Sequence, residues 1–143
     1  RGQMLLASYY AGIALSRALF GYVHPFAHKI GGKYHLPHGR VIGACMPLVF
    51  EYYGDRIHKR LARLADIINV TSPGMSNAQK AATFIEAIRG INRKYGIGET
   101  IPEIREEDFA EIANSVHWES VPYPAPKIMN DKDVFAVLRR LKG

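Results

Sequence analysis

Residues 37–54 read Pro37-His38-Gly39-Arg40-Val41-Ile42-Gly43-Ala44-Cys45-Met46-Pro47-Leu48-Val49-Phe50-Glu51-Tyr52-Tyr53-Gly54. Val41, Ala44, Cys45, Leu48, Val49 and Tyr52 recur at the 3.6-residue period of a helix with one buried face. Pro37 suits a first turn, where its missing N–H costs nothing, and Gly54 ends the pattern. Pro47 lies inside it and predicts a kink or break. The same period runs outward along the chain. Ile57, Leu61, Leu64 and Ile68 share a face, with Asp55 placed to cap their helix. Ser76 and Gln79 form a capping box ahead of Ala78, Ala81, Ala82, Ile85 and Ile88, and Gly96 stops that helix. Phe109, Ile112, Ala113 and Val116 mark another. Asn130 caps a last helix carrying Val134, Val137, Leu138 and Leu141. Pro122, Pro124 and Pro126 force an extended arm between these two, with Trp118 expected to pack against it. No useful run alternates as a strand does, so the fold class is all-α: a helical bundle in a single domain, 1–143.

Composition agrees. The chain has 143 residues, 48% hydrophobic and 22% charged, which excludes intrinsic disorder and suits one globular domain. The single cysteine, Cys45, excludes an internal disulfide and a cysteine-rich zinc site, and reads as a small core residue. No apolar run is long enough for a membrane span and no signal segment opens the chain, so a cytoplasmic setting without membrane contact is expected. The net charge is +6, yet residues 1–50 hold no Asp or Glu, and all 13 acids begin at Glu51. The cations of the first half are scattered. A basic helical binding module without catalysis is the alternative reading, resting on Arg56, Lys59, Arg60 and Arg63. Without a recognition-helix motif, nucleic acid is not expected as a partner.

Residues 4–15 are apolar almost all round, the pattern of a helix buried on every side. A chain terminus is an odd place for such a helix, so a preceding segment is expected. Histidines crowd the next stretch: His24, His28, His35 and His38 fall within fifteen residues. His24 and His28 are one helical turn apart, on one face. Pro25 disfavours helical geometry at the residue before it and so places His24 as a cap. His38 opens the next helix, where the positive dipole end favours a neutral imidazole, the form that binds metal. No acid lies near in sequence to complete such a site. Tyr9, Tyr10, Tyr22 and Tyr34 read as core residues with hydroxyls at an edge, and Phe26 is an aromatic close to the histidines.

Taken together, Val23-His24-x-x-x-His28, the Gly31-Gly32 turn, Pro37-His38-Gly39 and Met46-Pro47 resemble the signature of the iron-dependent (group III) alcohol dehydrogenases. Ala7-Ser8-x-x-Ala11-Gly12-Ile13-Ala14 and Tyr123-Pro124-Ala125-Pro126-Lys127-x-Met129 resemble that family too, so the likeness covers nearly the whole chain. It implies the C-terminal helical domain of such an enzyme, of dehydroquinate synthase-like fold. An N-terminal dinucleotide-binding α/β domain and an upstream Asp-x-x-x-His ligand pair are absent from this sequence. By resemblance, His24 and His38 are metal ligands, and His28 is the catalytic and nicotinamide-facing histidine. His35 matches no invariant and reads as a capping or surface group. The cofactors implied are Fe(2+), with Zn(2+) in some relatives, and NAD or NADP. The implied reaction passes a hydride between an alcohol or aldehyde substrate and the nicotinamide, and this fragment alone is expected to be inactive. Self-association into a homo-oligomer through the first helix is expected as well. Pro25 and Arg40 depart from the family pattern, and a cation at Arg40 would oppose a nearby metal unless it points elsewhere.

Overall fold

The computed structural model describes all 143 residues and contains helices and turns only. The helices are α1 (Gly2–Ala18), α2 (Val23–Tyr34), α3 (His38–Tyr53), α4 (His58–Ile67), α5 (Asn77–Lys94), α6 (Phe109–Ser120) and α7 (Asp131–Lys142). No single helix is long and apolar enough to cross a membrane. The fold is all-α, as the periodicity predicts, and the helix over His38–Tyr53 lies at its centre. α3 packs against α2, α5 and α7, while α2 also meets α6 and α4 lies along α5. Val41, Ala44, Cys45, Leu48 and Val49 all point into one core with Phe26 and Ile30 of α2, Ile112 and Val116 of α6, and Leu138 of α7.

Pro47 does not break α3. The helix runs from His38 to Tyr53 with Pro47 inside it. A proline withholds the N–H that the carbonyl four residues earlier requires. That carbonyl belongs to Gly43, and the side-chain amide of Asn92 donates to it at 2.8 Å. Asn92 is itself buried, 4% exposed, on α5. Gly43 admits this approach, because a Cβ there would lie 3.0 Å from both Asn92 and Ile97.

The Ser76 capping box forms, and the Asn130 cap proves to be half of a second one. Ser76 accepts from the Gln79 N–H while Gln79 accepts from Ser76, and Asn130 and Asp133 do the same at α7. Asp55 caps nothing: it lies in a 3-10 turn, Gly54–Arg56, and Ile57 precedes α4. Leu64 and Ile68 are exposed, so the buried face of α4 is Leu61, Ala62 and Ala65. Trp118 is 74% exposed and supports no arm. The arm is held from the other side. The Tyr22 hydroxyl accepts the Met129 N–H at 3.0 Å, Tyr52 donates to the Ile128 carbonyl at 2.6 Å, and the Lys127 ammonium sits 4.2 Å over the Tyr52 ring. His117 pairs with Asp131 at 2.8 Å across the arm's two ends.

The first helix is the largest departure from expectation. Every residue of α1 is exposed, including Met4 and Leu5 at 73% and Tyr9 at 64%. α1 leaves the bundle at a bend of 111° to α2. Its all-round apolar pattern therefore meets no partner within this chain. Gly21 makes the corner possible, since a Cβ there would lie 2.6 Å from the Tyr53 hydroxyl. That hydroxyl is fixed by accepting the Tyr22 N–H at 3.1 Å.

Candidate metal and dehydrogenase site

Three of the four clustered histidines meet in space. The ring centres of His24 and His28 are 5.7 Å apart, those of His24 and His38 5.6 Å, and those of His28 and His38 5.2 Å. Two helix starts produce this. His24 and His28 are one turn apart at the beginning of α2, and His38 is the first residue of α3. Pro25 does not push His24 out of the helix. Val23 is the first helical residue, so Pro25 occupies the first turn, where an N–H has no intrahelical acceptor to lose. Gly31 lets the α2–α3 turn close, since a Cβ there would lie 3.3 Å from the Leu36 carbonyl. His35 is apart from the cluster. It ends α2 in the left-handed conformation, φ 53° and ψ 40°, as a capping residue.

Aromatic rings wall the cluster. Phe20 packs on His24 with ring centres 4.1 Å apart and meets Tyr123 of the proline arm at 5.3 Å. The other face of this region is an apolar cleft of about 270 Å³ whose lining includes Phe20, Phe50, Tyr53, Leu61 and Pro124. Phe26, by contrast, is fully buried in the core and Tyr22 is 2% exposed, so neither faces a ligand. Tyr34 donates to Asp108 at 2.7 Å from a half-buried position, while Tyr9 and Tyr10 stand exposed on α1. Burial holds the His24 imidazole below the ordinary histidine range, with the neighbouring His28 and His38 adding to the effect and Glu119 opposing it. Burial alone raises the Cys45 thiol far out of the thiolate range, which suits a core residue and not a ligand.

Glu119, near the end of α6, is the residue that sequence spacing does not reveal. Its Oε1 lies 2.5 Å from His28 Nδ1, across 91 positions of chain. Arg40, the cation beside His38, is drawn away into a two-pronged pair with Glu103 at 2.8 and 3.0 Å. Lys29 and Lys33 likewise reach Glu111, so acids from the later segments neutralise cations of the acid-free half.

Imidazoles sharing one tetrahedral ion at about 2.0–2.1 Å have ring centres about 5 Å apart, close to the spacing of this cluster. The donor set fits a share of a metal site: two or three imidazoles, with Glu119 engaged by His28. It does not make a complete one, and no group of three or more His, Cys, Asp or Glu is arranged to hold an ion.

The model of the Fe-containing alcohol dehydrogenase family, C-terminal, matches residues 1–142. The chain belongs to that family. It is 29% identical over 142 residues to the 1,3-propanediol dehydrogenase of Citrobacter freundii, a match covering 98% of this chain and 37% of that protein. It is 28% identical over 141 residues to the NAD-dependent methanol dehydrogenase of Bacillus methanolicus, covering 97% and 37%. The alcohol dehydrogenase from Oenococcus oeni superposes with a TM-score of 0.85 at 28% identity, across 92% of this chain and 35% of that one. The chain thus spans a little over a third of the relatives it matches. The shared fold confirms an all-α C-terminal domain of the iron-type alcohol dehydrogenases, oxidoreductases as a family.

Proposed function

We propose that this domain contributes the imidazole share of the active site of an NAD(P)-dependent, iron-dependent alcohol dehydrogenase. The observation that carries the reading is the convergence of His24, His28 and His38 beside the Phe20–Tyr123 wall. One relative's name states NAD dependence, which supports the nicotinamide part. His24 and His38 hold Fe(2+), or Zn(2+), through neutral ring nitrogens, and His28 stands beside them as the proton-handling and nicotinamide-facing group. A bound dication supplies Lewis-acid polarisation of the alcohol oxygen. A bound nicotinamide would supply the hydride chemistry between a small alcohol or aldehyde and its ring, and Phe20 and Tyr123 would form one apolar side of that place.

The 143 residues alone carry no dinucleotide-binding fingerprint, so on this reading the chain by itself turns over no alcohol. A cytoplasmic setting and self-association through α1 belong to the same proposal. Two imidazoles leave a dication's charge uncompensated, so metal binding by this chain is weak compared with a site that includes a carboxylate. Titration with Co(2+), followed by absorption, tests the assignment. His24→Ala and His38→Ala abolish the bound-metal spectrum, whereas His28→Ala retains it. If His28→Ala empties the site and His24→Ala leaves it filled, the roles are wrongly assigned.

A further inference from the structure

The contact between Glu119 and His28 joins the end of α6 to the first turns of α2, and the two residues are 30% and 44% exposed. An ionised carboxylate only accepts hydrogen bonds. A neutral imidazole that meets it through Nδ1 must therefore carry its proton there, leaving Nε2 as a bare acceptor. No other hydrogen-bond partner holds either side chain, so the pair is self-contained. The remaining neighbours of the ring are His38, stacked at 5.2 Å and 20°, His24 at 5.7 Å and the edge of Phe20 at 6.2 Å. These restrict how the ring can turn but supply no acceptor for Nδ1.

We propose that Glu119 is a positioning residue: it fixes His28 as the Nδ1–H tautomer and so reserves Nε2 as the one basic nitrogen of that ring. The mechanistic consequence rests on the dehydrogenase reading above. A proton taken at Nε2 makes the ring a cation beside the Glu119 carboxylate, with the Nδ1 proton left in its bond, and the same proton leaves again from Nε2. The carboxylate orients the ring and stabilises its charged form without itself taking the proton, as the acid of a carboxylate–histidine pair does. It also explains why His28 differs from His24 and His38, which have no carboxylate partner. Of the three rings, only His28 has its tautomer chosen by an acid.

The tautomer is readable without metal, nicotinamide or turnover. Long-range ¹H–¹⁵N correlation spectra of the chain are recorded with chelator, at alkaline pH where histidine rings are neutral. The expected spectrum shows His28 almost wholly Nδ1–H. In Glu119→Ala the Nδ1–H form falls to a minor population and Nε2–H, favoured in a free ring, takes its place. Glu119 is half-buried at a helix end and leaves no core cavity, and circular dichroism verifies that the variant is folded. Nε2–H at His28 in the unaltered chain, or a tautomer indifferent to Glu119→Ala, overturns the proposal. Neither outcome touches the Co(2+) result for His24 and His38, so failure here and failure of the dehydrogenase reading are separable.

Discussion

The side-chain amide of Asn92 takes the place of the backbone N–H that Pro47 lacks, donating to the Gly43 carbonyl at 2.8 Å. One residue on α5 thus repairs a defect in α3 and ties the two helices together. Proline inside a helix normally costs about 3 kcal/mol and bends it. Here the freed carbonyl is used as an attachment point inside the core.

Asn92→Ala is expected to lower stability by about 1–3 kcal/mol, because it orphans a buried carbonyl. Pro47→Ala restores an N–H to that carbonyl. The cost of Asn92→Ala should therefore shrink by about 1 kcal/mol in the Pro47→Ala background. Urea unfolding of the four proteins gives the coupling, and strictly additive values would show that the two residues act separately.

His35 holds the left-handed position that ends α2, at φ 53°, with the Leu36 N–H bonded back to the Gly31 carbonyl at 3.0 Å. Glycine takes this conformation without a side-chain penalty. His35→Gly is expected to raise stability by about 0.5–1 kcal/mol and to leave Co(2+) binding unchanged. A loss of metal would move His35 into the site, against its position in the turn.

Much of this fold was legible in local pattern. The Ser76–Gln79 box and the Asn130 cap are short-range devices written within a few residues, and both form; that Asp133 completes a second box at Asn130 is seen only in the structure. The convergence of His24, His28 and His38 followed from one helical turn and one tight connection. What was not legible depends on partners far along the chain. Pro47 reads as a kink or break because Asn92, which bonds the freed carbonyl, lies on another helix. Glu119 was missed because nothing local links it to His28, 91 positions earlier. Asp55 failed as a cap because the chain tightened into a 3-10 turn before α4 began. The apolar pattern of α1 called for burial, but pattern alone does not say which surface provides it.

Glu51 offers a pH-dependent test. It is partly buried, which raises a carboxyl, but Arg89 at 2.5 Å and Arg140 at 2.7 Å outweigh burial and hold it below the ordinary glutamate range. A carboxyl lowered on folding contributes stability above its unfolded value of about 4.3, and that contribution is lost as pH falls through the folded value. Glu51→Gln is therefore destabilising near neutrality, since α3, α5 and α7 lose a common ionic junction. The gap between the two proteins should narrow as the solution is acidified below the ordinary glutamate range. Urea midpoints measured across that range decide it, and a gap that widens toward acid would mean that burial dominates over the arginines.

The first helix gives the most direct test of what the bundle needs. α1 buries none of its residues, and its exposed Met4, Leu5, Leu6, Tyr9, Tyr10 and Ile13 form an apolar rod attached at Gly21. Exposed apolar surface on this scale drives association. Between Arg1 and Arg17 the sequence holds no charged side chain to oppose it. Sedimentation velocity should show the chain associating as its concentration rises, and Leu5→Lys with Tyr9→Lys should return it to a monomer. Removing residues 1–18 should do the same, with the urea midpoint of the remaining bundle little changed, because the core of α2 to α7 is complete without them. A monomer at every concentration would show that α1 finds no partner in its own kind. A truncated chain that no longer folds would show that α1 supports the bundle through contacts other than burial.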